Sequence, residues 1–329
     1  MSLNSKQYQH QLPHFLSIAE FILPWLTPQE LASISCTCHA LSHLSKLISS
    51  VRSSDASRSL ESHPIPYINN IDSQPYFYFL YTPICLTTSP TLVRQFWGHL
   101  ANPNPNYNNP IPQSNFGMVS DVGGCDCSEK CEGECPCLVM RGAEVIIECG
   151  MCCDCELNCG NRETQKGVGA ELKVVRVLNK GWGLFAAQFI HSGQFVCEYA
   201  GELLTTKEAR ERQQVYDGLA KDGSFSSALL VVREYLPSRK ACFRINIDAT
   251  RIGNVARFIN HSCDGGNLST ILIRSMGALV PRVCFFASRD IKADEELSFS
   301  YGDVRHRAER LNCHCGSSCC FGTLPSEDT

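Results

Sequence analysis

The sequence lacks the features that would place it in a membrane, outside the cell or on bare nucleic acid. Its longest apolar run, Tyr76–Leu86, is interrupted by Thr82 and Pro83. It falls well short of the roughly 20 residues that a membrane span requires, so no membrane partner is expected. The N-terminus carries no basic stretch followed by a long apolar one, so no secretory signal is expected. No block of five or more like charges occurs, and the formal net charge is −4. Strong direct binding of nucleic acid needs a basic surface and is therefore not expected either.

Cysteine is what the chain has in excess: 21 among 329 residues. Without a secretory signal, such usage points to a reducing compartment and to metal binding, not to a disulfide framework. Ten of them fall between positions 125 and 159: Cys125, Cys127, Cys131, Cys135 and Cys137, then Cys149, Cys153, Cys155 and Cys159, with Cys152 as an extra. Three tetrahedral zinc ions offer twelve ligand positions, and nine thiolates fill them if three of the nine bridge two metals. Closed thiolate sites of this kind are structural, so the chemistry is to be sought elsewhere.

The length suits roughly two domains of about 150 residues. In residues 1–60 apolar side chains such as Phe15, Ile18, Ile22, Leu31, Leu41 and Leu44 recur mostly at helical spacing. Thr27-Pro28-Gln29-Glu30 reads as an N-cap, a proline at the first helical position and a capping glutamate. Residues 53–75 are rich in Ser, Pro and Asn, and residues 101–115 form a low-complexity stretch in which repeated proline disfavours a regular element. Beyond about residue 170 come short β-branched or aromatic runs: Glu171–Leu178, Phe195–Tyr199, Leu229–Val232, Phe243–Ile247 and Val283–Ala287. One helix interrupts them, opened by a capping box at Thr205 and Glu208. The order is not βαβα, so a doubly wound sheet is not expected.

Four segments of this half, in order, carry a resemblance. They are Lys180-Gly181-Trp182-Gly183, Glu198-Tyr199-Ala200-Gly201-Glu202, Arg257-Phe258-Ile259-Asn260-His261-Ser262-Cys263, and Glu296-Leu297-Ser298-Phe299-Ser300-Tyr301-Gly302. Together they resemble the SET-domain protein-lysine methyltransferases. The cysteine cluster resembles that family's pre-SET module, and Cys313-His314-Cys315-Gly316 with Cys320-Phe321-Gly322 resembles its post-SET zinc loop. The three-part arrangement is similar to the suppressor-of-variegation class, plant SUVR-like members included. The resemblance implies a mostly β SET fold with a pseudoknot and one inserted helical segment. It divides the chain into a helical segment at 1–60, a linker and lead-in at 61–120, a zinc cluster at 121–167, a catalytic domain at 168–303 and a zinc loop at 309–325.

It further implies transfer of a methyl group from S-adenosylmethionine (SAM) to a lysine ε-amine of a histone tail or nucleosome, with histone H3 lysine 9 favoured and a nuclear, chromatin-associated location. Lysine, with a reference pKa of about 10.4, must be brought to its neutral form to attack, and desolvation favours that form. Tyr301 would be the catalytic tyrosine and Tyr199 a second one nearby. Phe299 would leave room for di- or trimethylation. Gly181, Trp182, Gly183, Arg257, Asn260, His261 and Tyr301 would hold the cofactor, the first three through a glycine-flanked turn. Cys125, Cys127, Cys131, Cys135, Cys137, Cys149, Cys153, Cys155 and Cys159 would bind three zinc ions. Cys263, Cys313, Cys315 and Cys320 would bind a fourth, with Cys319 the adjacent competitor. Ser300 stands where the family usually has aspartate, and Ile245 where many members carry a channel-lining tyrosine. Taken singly, Tyr301 and His261 would read as core residues and Gly-Trp-Gly as a turn; the motif context changes each reading. Cys36, Cys38, Cys85, Cys197, Cys242 and Cys284 are expected as small buried residues, and Arg305–Arg310 as a solvated face. Phe21–Leu26, Glu30-Leu31, Cys36 and Cys38 are loosely similar to an F-box, which would make residues 1–60 a dock for a ubiquitin-ligase adaptor; a plain amphipathic helical pair is the alternative.

Overall fold

The computed structural model describes residues 15–87, 123–133, 135–139, 146–220, 225–235, 242–302 and 311–325. The expected loop at 101–115 and the polar face at 305–310 lie outside these residues.

The N-terminal segment is helical. Helix α1 (Pro28–Ser35) begins at the capping box read from the sequence: the Glu30 N–H donates to Thr27 Oγ1 at 3.3 Å and the Thr27 N–H to Glu30 Oε2 at 2.7 Å. Helix α2 (His39–Ser54) packs against it. Ala19, Leu23 and Leu31 make a small separate core with Leu41, Leu44 and Ile48.

Residues 67–87, part of the expected lead-in, supply edge strands to two sheets. Strands β1 (Tyr67–Ile68), β2 (Leu80–Tyr81) and β3 (Leu86–Thr87) each pair in parallel with a strand of the later half, which covers edges that would otherwise be open. Strand β4 (Ile146–Glu148) does the same from the cysteine-rich region. The later half itself is built from β5 (Leu172–Val177), β6 (Gly181–Ala186), β7 (Phe195–Glu198), β8 (Gly201–Leu204), β9 (Leu229–Tyr235), β10 (Cys242–Gly253), β11 (Asn260–His261), β12 (Leu268–Ser275), β13 (Arg282–Ala287) and β14 (Ser298–Phe299). The sheet orders are β1-β5-β6, β2-β10-β8-β3 with β9 on β10, β4-β12-β13-β7, and the pair β11-β14. The buried side chains of Leu172, Leu184, Ile247, Ile259, Phe285 and Leu297 fill the space between them.

The helix expected after Thr205 is α3 (Thr206–Leu219), capped reciprocally by Thr205 and Glu208. Its Arg212 reaches Glu202 at 2.7 and 3.1 Å and Asp248 at 2.6 Å, and Tyr216 donates to Asp248 at 2.7 Å. The helix is thereby pinned to β8 and β10.

Two strands differ from the sequence reading. Trp182 and Gly183 lie inside β6, not in a turn; Gly181, at φ +88°, makes the corner. Gly183 is small because a Cβ there would sit 3.1 Å from Asn260 Nδ2, Glu296 Oε1 and the Phe185 ring. Strand β12 was not anticipated, since its Ser and Thr residues hide the alternation. Three cysteines expected as buried are exposed: Cys36 and Cys38, at the ends of α1 and α2, and Cys242, at the start of β10. Element ends leave a small side chain uncovered. Cys197 and Cys284 are buried as expected, and Cys85 is half-buried.

The threaded arrangement is present. Strand β14 runs parallel to β11 (Asn260↔Ser298, His261↔Phe299) and also bridges Gly266. The Ser262 N–H donates to the Phe299 carbonyl and the Asn267 N–H to the Ser298 carbonyl, both at 3.0 Å. The chain segment at 298–299 therefore passes between the two arms of the 260–267 turn.

Candidate active site and metal centres

The threading brings three expected residues together from distant parts of the sequence. Tyr301 lies beside His261 and Phe299, with ring centroids 5.3 and 4.9 Å away. Its hydroxyl donates to the Ile259 carbonyl at 2.7 Å, and its N–H to His261 Nδ1 at 3.2 Å. Phe299 is sandwiched between Tyr301 and Phe285, the latter at 4.7 Å. Tyr199 packs against the far side of Phe285 at 6.3 Å and donates its hydroxyl to the Ala228 carbonyl at 2.7 Å. Burial pushes both phenols well above their ordinary range; the Glu296 carboxylate adds to this for Tyr301, and the Tyr301 phenol for Tyr199. Both hydroxyls are therefore neutral near pH 7, and their protons are committed to carbonyls.

The motif residues around this cluster fall into place as follows. Asn260 Nδ2 donates to Glu296 Oε1 at 2.8 Å, and Glu296 pairs with Lys180 at 2.7 Å. Asn260 thus ties β11 to the corner that precedes β6. His261 accepts at Nδ1, so its proton sits on Nε2, which faces Cys263 Sγ at 3.2 Å; burial lowers its pKa and keeps the ring neutral. Trp182 is buried edge-on to Tyr67 at 5.2 Å, under the Arg176 guanidinium. Arg257 is expected among the cofactor residues. Its guanidinium lies over the Phe77 ring at 4.3 Å and donates to the Thr250 carbonyl at 2.8 Å. Ile245 is buried in the core on β10, opposite Val232. Ser300 Oγ accepts the Gly302 N–H at 3.3 Å, a backbone contact open to any side-chain oxygen there.

Several contributors were not legible beforehand. Asn267 donates to Glu295 and to the Glu296 carbonyl, and accepts the Ser298 N–H, which fixes the turn that straddles β14. Arg282 reaches Glu148 at 2.7 Å and Glu198 at 3.3 Å, joining the residue before Cys149 to the residue before Tyr199. No motif marks Asn267 or Arg282; only their positions in space do.

The cysteines converge as the sequence implied. Sulfur atoms within 4.8 Å of one another define three overlapping sets: Cys125, Cys127, Cys131 and Cys135; Cys125, Cys131, Cys149 and Cys155; and Cys125, Cys137, Cys149 and Cys153. Cys159 adjoins them, its sulfur accepting the Cys131 N–H at 3.4 Å. A fourth set is Cys263, Cys313, Cys315 and Cys320. Cys319 is exposed, with its sulfur 3.1 Å from Ser317 Oγ. Sulfur separations of 3.3 Å (Cys131–Cys149), 3.5 Å (Cys125–Cys131) and 3.7 Å (Cys137–Cys153, Cys263–Cys313) approach the edge of about 3.8 Å of a tetrahedron with zinc–sulfur bonds of about 2.3 Å. Donors also point at the sulfurs: Asn161 Nδ2 at Cys149 (3.3 Å) and Arg162 at Cys155 (3.5 Å). N–H groups aimed at buried sulfur suit thiolates, so the donor set fits a thiophilic cation. Cys152 stands apart, donating to the Met276 carbonyl.

A SET-domain family model matches residues 181–302. Over 96% of its length the chain is 58% identical to histone-lysine N-methyltransferase SUVR3 of Arabidopsis thaliana, of which it spans 92%. The chain belongs to the SET-domain histone-lysine N-methyltransferases. Two solved relatives support that placement. Arabidopsis thaliana SUVH6 in complex with SAM superposes with a TM-score of 0.61 at 27% identity, over 82% of this chain and 55% of that one. KRYPTONITE in complex with mCHH DNA, H3(1-15) peptide and SAH gives 0.60 at 26% identity, over 82% and 53%. As a histone-lysine N-methyltransferase fold, the molecule carries its family motifs on the threaded β11–β14 segment and on β6 and β7, with cysteine clusters before and after.

Proposed function

We propose that this enzyme transfers methyl groups from SAM to a lysine ε-amine of a histone H3 tail, lysine 9 foremost, and carries the product to the di- or trimethyl state. The observation that carries the reading is the cluster of Tyr301, Phe299, Phe285 and Tyr199, in which Tyr301 is only half-buried while the other three rings are closed. SAM supplies an electrophilic methyl group on a sulfonium sulfur. The glycine corner at Gly181, where an added Cβ would have only the Arg176 guanidinium within 4 Å, at 3.7 Å, leaves backbone open to a ligand. Trp182, Gly183, Asn260 and His261 complete that seat.

The chain's own residues would act by positioning and desolvation. The closed apolar rings of Phe299 and Phe285 behind Tyr301 disfavour an ammonium, so the substrate lysine would enter neutral after releasing its proton to water. Neither tyrosine can take that proton, since each phenol is itself protonated at neutral pH. The Tyr301 proton is held by Ile259, which leaves the oxygen lone pairs to accept from the incoming amine and align it. The neighbouring thiolate clusters would hold three zinc ions before the catalytic region and one after it, as structural closures. A nuclear location follows from a chromatin substrate.

The test is methyl transfer from labelled SAM to recombinant histones, then to H3 peptides with single lysine replacements, read by mass spectrometry. Only monomethyl product at long times would overturn the product-state reading. Activity surviving replacement of lysine 9 would overturn that target. Phe299→Tyr, which adds a hydroxyl beside Tyr301, is expected to shift the product to monomethyl.

A second role for residues 1–60 is favoured by one observation. Phe21 and Trp25 are 77% and 70% exposed, an uncovered apolar face of the kind that marks docking sites and that suits the F-box-like reading. Capture of a ubiquitin-ligase adaptor by the full chain, abolished by Trp25→Glu, would support it; equal capture by both would refute it.

A further inference from the structure

Residues 76–79 read Tyr-Phe-Tyr-Phe. Side chains of an extended segment alternate between two faces, and here each alternate pair holds a different buried guanidinium. Tyr76 and Tyr78 take Arg52 of α2. Its guanidinium carbon lies 4.7 Å from the Tyr78 ring centroid and 5.9 Å from that of Tyr76. The same group donates to the Tyr76 hydroxyl at 3.3 Å and to the Pro24 and Leu26 carbonyls at 2.8 Å each. The Tyr78 hydroxyl donates to the Trp25 carbonyl at 3.0 Å. Phe77 and Phe79 take Arg257, at 4.3 and 5.1 Å, and meet Phe258 edge-on at 5.7 and 5.6 Å.

Arg257 and Phe258 close the short helical turn Val255–Phe258 that delivers the chain into Asn260 and His261. The aromatic strip is thus gripped on one side by the N-terminal helices and grips on the other the segment that carries two expected cofactor residues. We propose that Arg52, about 200 residues upstream of that segment, is a positioning residue for it: through the Tyr76–Phe79 strip it fixes the seat of Arg257, and with it Asn260 and His261. The N-terminal helices are then a working part of the enzyme, whatever else they bind. The inference rests on the reading of Asn260 and His261 as SAM contacts.

The test measures SAM affinity by calorimetry and steady-state constants for SAM and peptide in the full zinc-loaded chain. Wild type is compared with Arg52→Met, Arg52→Lys and Phe77→Leu. Arg52→Met is expected to raise Kd and KM for SAM roughly 3- to 30-fold, the span of one buried cation–π contact. Peptide KM and kcat at saturating SAM should stay within about two-fold. Arg52→Lys, which keeps the cation, should recover much of the loss, and combining Arg52→Met with Phe77→Leu should cost less than the sum. A folded Arg52→Met protein with wild-type SAM affinity overturns the proposal. So does a parallel fall in kcat, SAM affinity and peptide affinity, which marks general destabilisation. Should Arg52→Met fail to fold, unchanged SAM affinity in both Arg52→Lys and Phe77→Leu overturns it. Wild-type protein that binds no SAM would sink the functional reading instead.

Discussion

Tyr301→Phe removes one oxygen and leaves the ring held between Phe299 at 4.9 Å and His261 at 5.3 Å. Two consequences can be sized. The Ile259 carbonyl loses its donor, a cost of about 1 kcal/mol in stability if water replaces it and up to about 3 if nothing does. The incoming amine loses an acceptor pre-set at the reacting centre. Deleting one such preorganised contact costs about 3–4 kcal/mol, or about 10²–10³ in kcat. Cofactor affinity should change by no more than about three-fold, because the contact to His261 Nδ1 comes from the Tyr301 backbone N–H and survives. The assay is single-turnover methyl transfer with saturating labelled SAM, alongside calorimetric SAM binding and a thermal melt. Because burial holds the Tyr301 phenol protonated well beyond neutrality, the wild-type rate should rise with pH as the substrate amine deprotonates, with no inflection from this tyrosine below about pH 10. A variant that melts like wild type, binds SAM and keeps kcat within ten-fold would refute the role given to the hydroxyl.

Metal analysis of the purified chain should return four zinc ions per molecule, and Cys263→Ser should lower that to three; an unchanged count would refute the tail assignment. Stripping the metal should unfold the cysteine-rich region, because the binding free energy of such a module is folding free energy, and circular dichroism with a chelator would show it. Glu198 sits buried beside Arg282 and Cys85, and burial raises its pKa from 4.5 to about 7. Its charged form is therefore disfavoured in the fold. Its contribution to stability is fully present below about pH 4.5 and is lost as pH rises through about 7, at most about 3 kcal/mol. Glu198→Gln should flatten the melting temperature across that window, and an equally sloped profile would refute the assignment. Gly150→Ala would put a Cβ 1.9 Å from the Met276 carbonyl, at the seam between the cysteine cluster and β12. A loss on the order of 1–3 kcal/mol is expected from denaturant titration, and an unchanged midpoint would show that the seam yields freely.

The caps at Thr27 and Thr205, the strands opening, to within one residue, at 172, 195, 229 and 282, and the convergence of the cysteines were all readable beforehand. Each depends on neighbours in sequence or on a chemistry that cysteine alone supplies: a capping box closes within four residues, and closely spaced thiols serve few purposes other than metal binding. Glycine misled at 181–183. Gly181 does make a corner, at φ +88°, but Gly183 answers a crowding from Asn260 and Glu296, far along the chain, and from Phe185 two residues on, and not a local turn. Strand β12 was hidden because its exposed face takes Ser and Thr as readily as a loop does.

Local chemistry in the sequence determined the helix starts, the clustering of the cysteines and the order of the family motifs. Tertiary structure alone decided the rest. It passed 298–299 between the arms of the 260–267 turn, so that Tyr301 and His261, 40 residues apart, share a hydrogen bond. It set Arg282 between Glu148 and Glu198, and gave the two faces of Tyr76–Phe79 to guanidiniums from opposite ends of the chain. Such contacts join residues whose separation in sequence carries no periodicity, and only burial of a common core brings them within reach.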